Sequence, residues 1–336
     1  MSLRGMGLGK FLPPHRGHVH LVDFARHYCD ELVIVVEKVP GEPIPSGLRV
    51  QWMRALFPDC QIVHLTDENP QDPAEHPEFW SIWRESLLRC LPWPPDVVVA
   101  SESYGQRLAA ELGARFVPVD PARASIAIRA SDIRSDPMRY FDQLPDVVRP
   151  YYVKRVRIVG PESSGKSTLA RALAERFHTV HVPEYAEKLI RLQDGRFGED
   201  DLPGFARGQR ADEQALARAA NRVLICDTDT LTTVVWSRLL YDRVDPLIKA
   251  AASVACYQLT LVCMPDTPYA PDVHRVDPDT RQDFLDLLLD ELRAQDVEPV
   301  LLTGDIATRE HAAAAAIEAL IAPGATACSG ARSKQG

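Results

Sequence analysis

From about residue 18 onward, short apolar runs bounded by turn residues alternate with segments whose apolar positions recur every three or four residues. The first pattern reads as buried strand and the second as amphipathic helix. Strand-like runs occupy 32–36, 61–65, 96–100 and 115–119, and helical patterns cover about 18–28, 49–57, 79–91 and 104–112. The rhythm resumes with strands at 156–159, 223–226 and 259–263 and helices at 168–174 and about 308–321. Strand alternating with helix predicts α/β architecture with parallel sheets covered by helices, and places ligands at the carboxyl ends of the strands. Two such series predict two domains, 1–152 and 153–322, with a small-residue tail, 323–336, expected to be disordered.

Composition narrows the function classes. A chain of 336 residues, 46% hydrophobic and 25% charged, is long enough for two cores. A net charge of −9 speaks against nucleic acid or an anionic membrane as partner, so any anionic substrate must be held by local groups. Neither a charged, then apolar, leader nor an apolar run near 18 residues is present, and the expected location is cytoplasmic. Seven scattered cysteines without a C-x-x-C pair suit reduced thiols. The partners expected are small molecules, and the sequence leaves a homo-oligomer open.

The strongest motif is Gly160-Pro161-Glu162-Ser163-Ser164-Gly165-Lys166-Ser167-Thr168, which fits the G-x-x-x-x-G-K-[ST] phosphate loop at every fixed position. A strand precedes it and a helix follows, the setting the motif requires. Lys166 can reach the β- and γ-phosphates of ATP, Ser167 can ligate Mg2+, and the amides of 162–168 form an anion cradle. The strand at 223–226 ends at Asp227, where a magnesium-organising or base carboxylate belongs. Asp229 reads either as a substrate contact or as the N-cap of the next helix. Glu184 follows the second strand of this domain, where phosphate-loop nucleoside kinases often place an acid against the acceptor hydroxyl; both it and Asp227 are candidate general bases. Arg275 and Arg281, on a polar, proline-punctuated segment before a helix, suit a lid that closes on the phosphoryl group, against the alternative of a solvated loop.

The other chemistry lies in the first eighteen residues. His15 and His18 bracket Gly17 where a helix starts, which gathers imidazoles and free backbone N–H groups around one concavity. Such a site suits phosphate; a metal pair or merely exposed histidines are the competing readings.

The run Gly9-Lys10-Phe11-Leu12-Pro13-Pro14-His15-Arg16-Gly17-His18 resembles the signature of the nucleotidylyltransferase superfamily. The resemblance implies a Rossmann-like domain in which Gly9, Lys10, Phe11 and Gly17 shape an ATP site and the two histidines hold the triphosphate. Its second signature is matched, in altered form, by Ile128-Arg129-Ala130-Ser131-Asp132-Ile133-Arg134, which implies β- and γ-phosphate contacts from Ser131 and Arg134; Arg129 replaces the usual serine. Trp80, Trp83 and the run 101–105 resemble the nicotinamide-mononucleotide (NMN) adenylyltransferase half of NadR-type proteins, with the tryptophans as faces for a cationic pyridinium or, equally, as core. Glu184-Tyr185, Gly208-Gln209, Asp227-Thr228-Asp229 and the lid resemble the ribosylnicotinamide kinase half. Where that half usually has Trp followed by Asp-Asp-Gly, this chain has Tyr269 and then Pro271-Asp272-Val273, which leaves Tyr269 and Asp272 as substrate contacts.

The resemblance implies a bifunctional NAD-salvage enzyme: a C-terminal phosphate-loop kinase that makes NMN from nicotinamide riboside, and an N-terminal transferase that adenylylates NMN to NAD. Its cofactors would be ATP and Mg2+. The same motifs also allow a transferase–kinase fusion with another phosphate and nucleoside, or a nucleotide sensor with one inactive half.

Overall fold

The computed structural model describes residues 2–266 and 280–324, and the chain forms two compact units, Met1–Val148 and Arg149–Gly336. The first runs β1 (Arg4–Gly9), α1 (Arg16–Tyr28), β2 (Glu31–Glu37), α2 (Ser46–Leu56), β3 (Gln61–Leu65), α3 (Phe79–Cys90), β4 (Val97–Ala100), α4 (Tyr104–Glu111), β5 (Arg115–Pro118) and α5 (Ala130–Ser135). Its strands pair in parallel in the order β3-β2-β1-β4-β5. The order reverses beside β1, so the crevice beyond the carboxyl ends of β1 and β4 is the place where such a sheet takes its ligand.

The central strand β1 is the one the hydrophobic pattern did not announce. It reads Arg-Gly-Met-Gly-Leu-Gly, and half its positions carry no side chain. The glycines answer to close packing: a Cβ on Gly5 would stand 2.3 Å from Cys29 Sγ. Beside it, β2 buries both faces. Val33 and Val35 join Met6, Trp83, Leu87 and Val98, whereas Ile34 and Val36 join Phe11, Val22, Val50 and Met53. Each fully buried valine or isoleucine contributes about 1.5–3 kcal/mol, which makes a one-residue slip of β2 prohibitive.

The second unit runs α6 (Arg149–Tyr152), β6 (Lys154–Val159), α7 (Lys166–Arg176), β7 (His181–Val182), α8 (Tyr185–Leu192), α9 (Leu202–Leu216), β8 (Val223–Asp227), α10 (Thr230–Tyr241), α11 (Pro246–Ser253), β9 (Leu259–Cys263), α12 (Thr280–Ala294), β10 (Val300–Leu302) and α13 (Ile306–Ile321). Its parallel order is β10-β9-β6-β8-β7, with the phosphate-loop strand β6 at the centre. Helix starts are set by side-chain caps: Asp229 accepts from Thr232 N–H at 3.1 Å for α10, and Asp305 from Thr308 N–H at 2.8 Å for α13. The two-residue β7 and three-residue β10 are too short to show a period.

Both units are thus parallel five-stranded sheets covered by helices, as the alternating pattern predicts. No helix among the described residues is long and apolar enough to cross a membrane. All six cysteines among the described residues are free thiols, three of them buried.

Candidate active sites

In the first unit the loop after β1 turns sharply into α1. Phe11 takes φ 46°, rare for a bulky residue, and its buried ring meets His18 edge-on at 4.9 Å. His15 is the N-cap of α1, and its Nδ1 accepts the Gly17 N–H at 3.1 Å. Because an amide can only donate, the proton of the neutral His15 ring sits on Nε2. The two imidazoles stack at 3.8 Å between centroids. Nδ1 of His18 is buried without a partner.

Burial lowers His15 to about 4, and the nearby Arg123 guanidinium adds to the effect. Burial, then His15 and Arg123, hold His18 well below the ordinary histidine value. Both rings are therefore neutral near pH 7 and meet an anion as hydrogen-bonding dipoles; a polyphosphate bound between them would raise both pKa values.

The second motif meets the first. Arg134 Nη1 donates to the Leu12 carbonyl at 2.5 Å, which ties α5 to the β1–α1 loop. Arg129 sits at the N-cap of α5, where its backbone N–H donates to Asp132 at 3.2 Å, so its guanidinium is not needed for the turn. Ser131 is exposed on the first turn of α5.

Two arginines escaped the sequence reading. Arg123, at φ 52°, bonds the Ile128 carbonyl at 3.3 Å and Glu102 at 3.0 Å, beside the histidines. Arg49 is 0% exposed and ties three segments together. It donates to the carbonyls of Lys10, Glu37 at 3.0 Å and Ile44 at 3.2 Å, and pairs with Glu42. On α2 its neighbours made it look like an ordinary solvated charge.

The two tryptophans differ in setting. Trp83 is buried in the sheet-facing core, and its indole N–H donates to the Pro70 carbonyl at 2.8 Å. Trp80 is partly buried, with Arg107 over its ring at 5.9 Å. The loop after β3 is pinned at its start, since Ser86 and Arg89 both bond Asp67 and Gln71 bonds Glu37 at 3.3 Å. Tyr104, in the run 101–105, donates from its buried hydroxyl to the Leu8 carbonyl at 3.0 Å and fastens α4 to β1.

In the second unit Gly160–Thr168 links β6 to α7 as the motif requires. Ser163 and Gly165 take φ 56° and 85°, and Ser164 Oγ and Lys166 Nζ both donate to the Pro161 carbonyl, at 2.8 and 3.0 Å. Arg309 of α13 is 1% exposed. It donates to the carbonyls of Ser164 at 2.5 Å, Gly304 at 2.8 Å and Met264 at 2.9 Å, and pairs with Asp266. Spacing along α13 does not reveal this tie.

Asp227 ends β8 beside Lys166, and the Ser167 hydroxyl bonds it. Burial raises its pKa while Lys166 opposes the rise, and its Oδ1 has no partner. Thr228, at φ 68°, carries the chain over the loop.

Glu184 opens α8, and burial pushes its carboxyl up to about 7 against the pull of Lys166. It shares a cavity with Glu162, Thr228 and Asp229, walled by Ile190, Phe197, Phe205, Gln209 and Trp236. Both readings of Asp229 have support: it caps α10, lines the cavity, and is paired with Arg157 at 2.5 Å in a fully buried bridge. The cavity's apolar wall comes from α8, α9 and α10, whose spacing alone does not show which residues converge. Tyr269, Asp272, Val273 and Arg275 lie outside the described residues, and Arg281 is in the first turn of α12.

An AAA domain profile matches residues 155–309. The trifunctional NAD biosynthesis/regulator protein NadR of Escherichia coli (strain K12) is 28% identical over 323 residues, which cover 88% of this chain and 77% of that protein. Its counterpart from Salmonella typhimurium is 27% identical over 322 residues, with the same shares. A crystal structure of NadR in complex with NAD and AMP-PNP superposes with a TM-score of 0.77 at 23% identity, covering 95% of this chain and 96% of that one. A second, of NadR in complex with NR, gives 0.77 at 22% identity over 94% and 95%. The solved structures share the fold across both units, and the sequence relatives resemble this chain over 88% of its length.

Proposed function

We propose that the chain is a bifunctional NAD-salvage enzyme with one ATP-using reaction in each unit. The observation that carries this is the pairing of two phosphate sites in one chain that resembles NadR: stacked His15 and His18 at the start of α1, and Lys166 with Ser167 and Asp227 beside an acid-floored, aromatic-walled cavity.

In the second unit the 5′-hydroxyl of nicotinamide riboside attacks the γ-phosphorus of ATP; the O–P bond to ADP breaks, and the hydroxyl proton passes to a carboxylate. Glu184 is the better base. It faces the cavity and titrates near 7, whereas Asp227 is engaged by Ser167 and Lys166. Ser167 and the unpartnered Oδ1 of Asp227 fit Mg2+, a hard cation that takes one or two protein oxygens together with substrate phosphates. When bound, it neutralises charge on the transferring phosphoryl oxygens. Lys166 follows the β- and γ-phosphates.

In the first unit the phosphate of NMN attacks the α-phosphorus of ATP and pyrophosphate leaves. His15 presents Nε2–H, His18 lies against it, Arg123 is near both and Arg134 reaches the same loop, and Ser131 on the first turn of α5 would add a further donor. Trp80 is the more exposed aromatic face for the pyridinium, with Trp83 behind it as support.

The test is one assay with MgATP and nicotinamide riboside, products followed by mass. Lys166→Ala should lose NMN formation but still convert supplied NMN to NAD; His18→Ala should do the reverse. Folded, wild-type protein that yields neither product would sink the reading.

A further inference from the structure

One cavity residue has half of its hydrogen-bonding capacity committed and half waiting. Gln209, on α9, is 3% exposed. Its Oε1 accepts the Tyr185 N–H at 2.9 Å. That bond settles which end of the amide is which, since a backbone N–H cannot pair with an NH2 group. The Nε2 end is buried and has no partner, and Gln209 is one of the residues that line the cavity. An unpaired buried amide is costly, and a ligand with an acceptor oxygen at that point would remove the cost.

The rest of the cavity says what else that ligand must be. Glu162, Glu184 and Asp229 line it together with Phe197, Phe205 and Trp236, and no lysine, arginine or histidine lines it among the described residues. Carboxyl groups beside aromatic walls favour a flat cation, although Asp229 is balanced by Arg157, and Gln209 offers a fixed neutral amide donor alongside the hydroxyls of Thr228, Thr232 and Thr233.

We propose that Gln209 is a specificity-determining residue of the kinase cavity, its Nε2–H donating to an acceptor oxygen of a cationic pyridinium nucleoside. This rests on the kinase reading above. The acceptor is either the exocyclic carbonyl of the base or an oxygen of the ribose. A donor without charge, in an acidic cavity, also sets the site against nucleosides that carry a carboxylate.

The test compares the full chain with Gln209→Met, near in length and flexible, on nicotinamide riboside and on pyridine riboside, which lacks the carboxamide. KM and kcat are read from MgATP-dependent phosphorylation. Gln209→Met should raise KM for nicotinamide riboside about 10- to 100-fold. It should change kcat by less than about threefold, since a uniform binding contact is lost. An unchanged KM for pyridine riboside assigns the exocyclic carbonyl; an equal rise assigns the ribose; both support the proposal.

A Gln209→Met KM within twofold of wild type overturns the assignment and leaves the kinase reading standing. Wild-type protein that phosphorylates neither nucleoside removes both. Should Gln209→Met not fold, a wild-type structure with nicotinamide riboside bound decides: Nε2 within hydrogen-bond distance of a ligand oxygen supports the proposal, and carbon contacts alone overturn it.

Discussion

Replacing Arg309 by Met should loosen the phosphate loop from behind without touching any group that faces a ligand. The guanidinium is 1% exposed and satisfies the carbonyls of Ser164, Gly304 and Met264. Its carboxylate partner, Asp266, has a side chain 38% exposed, so that charge can rehydrate and adds little to the loss. The buried Ser164 carbonyl and the part-buried carbonyls of Gly304 and Met264 lose their donor, and removing one partner of a buried charged tie costs about 3–5 kcal/mol. For a domain of 150–250 residues each kcal/mol moves the melting midpoint by about 2–4 °C, so the second unit should melt about 6–20 °C lower. Differential scanning calorimetry of the full chain measures this, with the transition of the first unit as internal reference. Arg309→Lys should recover less than half of the loss, because one ammonium cannot span three carbonyls. A shift under about 2 °C for Arg309→Met would refute the reasoning, since one stranded carbonyl at about 1 kcal/mol already costs that much.

Other outcomes follow from the titrating groups and from one glycine. If Glu184 is the base, kinase kcat/KM should climb with pH through about 7, where its carboxyl ionises, and Glu184→Gln should drop the rate by about 10²–10⁴. A pH profile flat from 6 to 8 would reassign the base. The lowered value of His15 means that the folded protein binds fewer protons than the unfolded chain between about 4 and 6.5. Stability of the first unit should therefore be intact above pH 6.5 and fall as pH drops through that window, and His15→Gln should flatten the fall in acid-unfolding curves. Gly208→Ala would set a Cβ 2.0 Å from Tyr185 Cε1. That overpacking should cost about 1–3 kcal/mol and impair the kinase while NMN adenylylation is unchanged, both measurable on one preparation.

Much of the fold was legible because strands buried on both faces read as continuous apolar runs: β4 and β8 fall within a residue of where the pattern placed them. β1 was hidden by the same packing that makes it central, since glycines erase the apolar signal where Cys29 comes close. The phosphate loops were legible because their chemistry depends on residues adjacent in sequence: His15 with His18, and Gly165 with Lys166 and Ser167. The cavity of the second unit was not, because Phe197, Gln209 and Trp236 come from separate segments and meet only after folding. Asp229 carried two readings at once, and the cap and the cavity wall prove compatible.

The least legible residues show a shared solution. A loop that turns its N–H groups toward a phosphate points carbonyls the other way, into the protein, where water cannot reach them. In each unit one buried arginine meets one carbonyl of that loop and two from neighbouring segments: Arg49 on α2 those of Lys10, Glu37 and Ile44, and Arg309 on α13 those of Ser164, Gly304 and Met264. Guanidinium suits the task because five N–H donors fan out in one plane, and each has a nearby carboxylate, Glu42 or Asp266, to balance its charge. On a helix such an arginine is indistinguishable by spacing from a surface charge, and only its burial, 0% and 1% exposed, reveals it. Two sheets with different strand orders share the device: a buried guanidinium ties the loop after the central strand to the segments packed around it.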